Sequence, residues 1–85
     1  MPPRDPRLCP ALEVARPGDS GIFDGYRSER MPWLVLFGDG EWHQVEVRGW
    51  WRDRHGREVA EVEWHIDGGT WSESFVVDSK RMREA

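Results

Sequence analysis

Polar and apolar positions alternate most regularly between Trp42 and Ile66, with a period of two and not the 3.6 of a helix. From Glu58 to Ile66, Ala60, Val62, Trp64 and Ile66 fall on one side and Glu61, Glu63 and His65 on the other, the pattern of a strand with one buried face. From Trp42 to Trp51, alternation gathers His43, Val45, Val47, Gly49 and Trp51 on one face and Trp42, Gln44, Glu46, Arg48 and Trp50 on the other. The first set is the expected core face, and Trp51 and Trp64 are expected core residues. Trp42 and Trp50 are then expected to face outward, either covered by the N-terminal segment or exposed for a partner.

Turn chemistry divides the rest. Trp33 to Phe37 reads as a strand, and Gly38, Asp39 and Gly40 join it to the Trp42 segment as a hairpin. Asp53 to Gly56 and then Asp67, Gly68 and Gly69 make two further turns, Thr70 to Val77 is another strand, and Asp78 to Arg83 holds a 3₁₀ turn and a short final strand. The connections are too short for helical crossovers, so the sheet is expected to be antiparallel. Strands this short lower their edge liability by curling, and Gly49 in mid-strand is where a sharp bend is tolerated. Upstream, Pro2, Pro3, Pro6, Pro10 and Pro17 break helices and inner strands, Gly18 and Gly21 add turns, and only Leu8, Leu12 and Val14 are apolar anchors. The expected division is an arm and lead-in segment over 1–32 and one β-domain over 33–85. A single helical turn around Ala11 to Ala15 is the most order expected of the arm, and removing residues 1–20 is expected to leave the domain folded. Residues 21–32 are ambiguous: Ile22, Phe23 and Tyr26 form a short edge strand or drape over the sheet, and Arg27 to Arg30 is a charged loop.

Size makes the aromatics matter. An 85-residue chain holds one compact domain, and its six tryptophans, three phenylalanines and one tyrosine must supply most of the burial. Cys9 is the single cysteine, which excludes an intrachain disulfide, and no Cys/His spacing suits a zinc site; no metal or cofactor is expected. Sixteen acidic against twelve basic residues give a net charge of -4, which disfavours indiscriminate nucleic-acid binding. No run approaches the roughly 18 apolar residues of a membrane span, and the Pro2–Pro6 start lacks a signal-peptide core, so a cytoplasmic location without membrane contact is expected.

The stretches GDGEWHQVEVRGW, EVAEVEWHIDGG and SFVVDSKRMR together resemble a Tudor-type member of the SH3-like barrels. Asp39, Gly40, Trp42, His43, Val45 and Val47 match the first part of that pattern, Val62, Trp64, Asp67 and Gly68 the second, and Asp78, Met82 and Arg83 the last. The resemblance covers 33–83 and implies an all-β fold: a small antiparallel SH3-like (Tudor-like) barrel of about five strands, here with a proline-rich N-terminal arm. It also implies binding, since such domains often hold a methylated cation in an aromatic cage. Trp42, Trp50, Trp64, Trp71 and Phe75 are the candidate walls and Glu73 or Asp67 the acidic complement. His43 departs from the pattern, because the family has Tyr or Phe there.

The leading expectation is a non-catalytic module that contacts a protein partner, or itself, through Trp42, Trp50, Trp71 and Phe75. Should Trp42 and Trp50 prove internal, Trp33, Trp71 and the turn residues are next. The alternative is nucleic-acid binding through the hairpin where Arg48, Arg52, Arg54 and Arg57 interleave with Trp50 and Trp51, a mixture suited to stacking and phosphate contact. An enzyme is not expected: His43 and His65 fall on opposite faces, no serine lies in a G-x-S-x-G elbow, and a proline-rich arm is a poor setting for a low-pKa Cys9.

Overall fold

A computed structural model describes residues 5–15 and 30–85. Pro2, Pro3, Pro17, Gly18 and Gly21, the stretch with Ile22, Phe23 and Tyr26, and the loop from Arg27 to Glu29 lie outside the described residues. Five strands, β1 (Met31–Leu36), β2 (Trp42–Arg52), β3 (Glu58–Ile66), β4 (Gly69–Val76) and β5 (Met82–Glu84), make one antiparallel sheet in the order β4-β3-β2-β1-β5. The short turns dictate the meander of the first four. At the β3–β4 turn, Asp67 (φ 52°) and Gly68 (φ 73°) both adopt the left-handed conformation that matches the twist of a two-residue hairpin. The first strand begins at Met31, two residues upstream of Trp33.

Alternation holds as read through β3, where Val62 faces Val47 across the ladder and Ala60, Val62 and Trp64 are buried on one face. It fails in the second half of β2. The register slips between Val47 and Gly49, so Arg48 is an extra residue: Val47 opposes Val62, Gly49 opposes Glu61 and Trp50 opposes Ala60. A bulge of this kind exchanges the faces of everything beyond it. Trp50 therefore joins the core with Val35, Phe37, Val45, Val47, Ala60, Val62, Trp64, Phe75 and Met82. Trp51, expected on that face, is instead paired with Val59 on the opposite one, where both are buried.

The N-terminal segment differs most from expectation. Its helical turn lies at Pro6–Leu8, not around Ala11 to Ala15, and is a 3₁₀ turn capped by Asp5, whose carboxylate accepts from the Arg7 backbone N–H at 3.0 Å. Beyond it the chain is extended and docked at two places. Pro10 bridges Phe37 and Val14 bridges Phe75, so the segment crosses from the end of β1 to the end of β4. Hydrogen bonds at both crossings fix it: Ala11 N–H to Leu36 O at 2.8 Å, Gly38 N–H to Cys9 O at 3.0 Å, Ala15 N–H to Ser74 O and Val76 N–H to Glu13 O, both at 2.9 Å. Pro10 is buried, Cys9 and Leu12 pack on the core, and the indole N–H of Trp64 donates to Leu8 O at 3.0 Å. The arm is docked on the domain: its prolines exclude it from an inner strand, but its carbonyls and apolar groups complete the core.

Two substitutions test this packing by urea unfolding. Trp64→Ala is expected to lose about 3–5 kcal/mol, the cost of truncating a large buried aromatic. At Gly38 a Cβ would lie 2.2 Å from Pro6 O. Gly38→Ala must push the arm outward, with an expected loss of about 1–3 kcal/mol by overpacking; an unchanged midpoint would show that the arm does not rest there.

Candidate functional site

The four expected partner-binding aromatics do not converge. Trp42 faces outward opposite Leu36, half-buried beneath the Arg83 guanidinium, which lies 4.2 Å from its ring centroid. Trp50 is a core residue, contrary to the outward position expected of it, because of the Arg48 bulge. Phe75 is only 2% exposed and packs 6.0 Å from Trp64. Trp71 stands opposite Trp64 on the core face, half-buried, with an indole N–H that has no hydrogen-bond partner among the described residues. A cage of Trp42, Trp50, Trp64, Trp71 and Phe75 is thus ruled out by geometry: they lie on different faces, and Trp64 and Phe75 are closed off from solvent.

The bulge builds a different site. By turning Trp50 inward it brings that ring against Trp33 of β1, with centroids 5.2 Å apart and planes tilted by 60°. The pair forms one wall of a cleft of about 450 Å³, in the range of sites that accept a side chain or small ligand. Met31, Met82 and Val77 add apolar surface, and Ser79, Glu58 and Glu84 supply polar groups. Strand pairing explains the convergence, since Glu84 of β5 is the direct partner of Trp33 and therefore shares its face. The Trp33 indole N–H is buried without an acceptor among the described residues. Such a donor costs about 1–3 kcal/mol, which an incoming acceptor can offset. Trp33 was the fallback candidate; Met31, Glu58, Val77, Ser79, Met82 and Glu84 were not anticipated. Their one signal is Gly49, the bend that redirects β2.

The arginines of the β2–β3 hairpin are engaged within the chain. Arg48 lies 3.6 Å from Glu61 and 3.3 Å from Glu63, Arg52 donates to Gly56 O at 3.0 Å, and Arg57 pairs with Glu13 at 3.1 Å and Asp53 at 2.9 Å. Arg54 is exposed at the tip. Asp53 organises that turn: its buried carboxylate accepts from the backbone N–H groups of His55 and Arg57, each at 2.9 Å. Burial pushes its carboxyl up, but the Arg57 N–H and guanidinium and the His55 N–H outweigh that and hold it below the ordinary carboxylate range.

The remaining reactive side chains are held by neighbours. His43 Nε2 is 2.9 Å from Asp39 Oδ2, with its ring on Phe37 at 4.3 Å, while His65 lies on the opposite face, 2.9 Å from Thr70 Oγ1. Burial, then the Asp5 carboxylate, pushes the Cys9 thiol up, away from the thiolate a nucleophile needs. Among the described residues no cluster of His, Cys, Asp and Glu could hold a metal ion, and no helix is long and apolar enough to cross a membrane. Compared with known proteins, the chain matches no family model, no curated protein and no solved structure.

A folded-state value below the unfolded one means that Asp53 contributes stability above its unfolded value of about 3.9 and loses it as pH falls through the folded value. Asp53→Asn is therefore expected to lower the melting temperature at pH 7, with the gap to the wild type closing as pH drops below about 4. A gap of constant size from neutral to acid pH would refute the assignment.

Proposed function

We propose that this chain is a non-catalytic binding module of the SH3-like, Tudor-like kind, whose partner is a protein that seats a side chain in the Trp33–Trp50 cleft. The observation that carries the reading is the cleft: two tryptophans and two methionines at the meeting of four strands, open to solvent, with the unsatisfied Trp33 indole N–H at its wall. Large aromatics in a concave apolar site are the usual anchors of interfaces. The fold supports the same reading. A four-strand meander with the fifth strand returning beside the first is the order expected of a small SH3-like barrel, and the arm spans from β1 to β4 where such a barrel would close.

A non-catalytic role agrees with the engagement of His43, His65 and Cys9 by their neighbours. A protein partner is preferred to nucleic acid because Arg48, Arg52 and Arg57 already serve acceptors of this chain, and the net charge is -4. A cytoplasmic setting and the absence of membrane contact belong to the same proposal.

A random-heptapeptide display selection tests it. Wild-type protein is expected to enrich binders whose affinity falls when the cleft is filled by Ser79→Trp, a change at an exposed turn position that leaves the melting temperature unaltered. Enrichment of nothing, or of binders indifferent to Ser79→Trp and to Trp33→Ala, would sink the proposal.

A further inference from the structure

We infer that the side chain taken by this cleft is an arginine, its guanidinium flat against one ring of the Trp33–Trp50 pair and within reach of the Glu58 and Glu84 carboxylates; this rests on the binding-module reading above. The first argument is the distribution of ion pairs. Glu13, Glu46, Asp53, Glu61, Glu63 and Asp78 each pair with an arginine of this chain. Glu41, Glu58, Asp67, Glu73 and Glu84 pair with no base among the described residues, and of these Glu58 and Glu84 line the cleft. Arg52 is the cross-strand partner of Glu58, yet its guanidinium donates to Gly56 O instead. The cleft thus presents two uncompensated negative charges on an apolar floor, and the complementary ligand is a cation with an aliphatic stem. Met31, Met82 and Val77 suit the stem.

The second argument separates arginine from other cations. A compact ammonium, methylated or not, is best held when aromatic faces surround it. Here the two rings pack against each other, with centroids 5.2 Å apart and planes tilted by 60°, and do not surround a space between them. A planar guanidinium needs only one face, and its five donors reach acceptors at its edges while it stacks. The same arrangement already exists elsewhere in this molecule, where Arg83 lies over Trp42 at 4.2 Å.

The test uses the whole chain with ¹⁵N-labelled indoles, titrated with the peptide acetyl-Ala-Ala-Arg-Ala-Ala-amide and with the same peptide carrying lysine, leucine or citrulline at the centre. Citrulline keeps the planar shape and lacks the charge. The arginine peptide is expected to shift the Trp33 and Trp50 indole N–H resonances, with citrulline binding about tenfold more weakly and the double variant Glu58→Gln/Glu84→Gln reducing arginine affinity by a similar factor. Both glutamates are exposed, so that variant is expected to keep the wild-type melting temperature. Lysine binding as tightly as arginine, or citrulline or leucine binding as well as arginine, overturns the inference and leaves the cleft as a docking site. If no peptide moves these resonances while displayed binders that depend on Ser79 do, the inference fails alone; if those binders are absent too, the binding-module reading fails with it.

Discussion

A buried indole N–H costs free energy unless it finds an acceptor, and that of Trp64, at the centre of the core, finds its acceptor outside the sheet. Its neighbours are Phe37, edge-on at 6.2 Å, and Phe75 at 6.0 Å. The acceptor is Leu8 O, on a segment 56 residues earlier in the chain. That one requirement ties the N-terminal segment to the fold. The 3₁₀ turn at Pro6–Leu8 aims the carbonyl, Asp5 closes the turn, and Gly38 lacks the side chain that would collide with it. Once held there, the chain runs from the end of β1 to that of β4, and it satisfies backbone groups at both.

The prolines are consistent with this docking, through a detail of antiparallel pairing. At the Pro10–Phe37 bridge the hydrogen bonds belong to the flanking residues, Ala11 with Leu36 and Gly38 with Cys9. Pro10 occupies the position whose own N–H has no ladder role, so its missing donor costs nothing. Reading the prolines as breakers was sound for regular elements and misleading for the segment. Single bridges tolerate a proline at alternate positions, and sequence pattern does not report single bridges.

The sheet was legible from the chain and the site was not, for a reason located at Arg48. Turn residues and period-two alternation place all five strands within about two residues of where they lie, and they assign β3 to its correct face throughout. Trp42 also points outward as alternation requires. One inserted residue then exchanges the faces of Trp50 and Trp51. A bulge changes the hydrogen-bond ladder of two strands together, so it cannot be read from one strand's apolar pattern. Gly49 signalled a bend but not a change of register. Every expectation for the site that depended on Trp50 inherited that error, and the cage suggested by resemblance dissolved with it.

The same bulge divides the protein electrostatically. On the outer face Arg48, left outside the ladder count, reaches Glu61 and Glu63, and Arg30 reaches Glu46, so acids and bases there largely cancel. Exposed pairs of this kind add little stability, about 0–1 kcal/mol each, but they consume the positive charge that a nucleic-acid surface would need. Where the bulge turns Trp50 inward, the walls become apolar and the neighbouring carboxylates, Glu58 and Glu84, have no basic partner among the described residues. The inserted residue therefore neutralises one face of the sheet and leaves the cleft beneath the other lined by apolar and acidic side chains together.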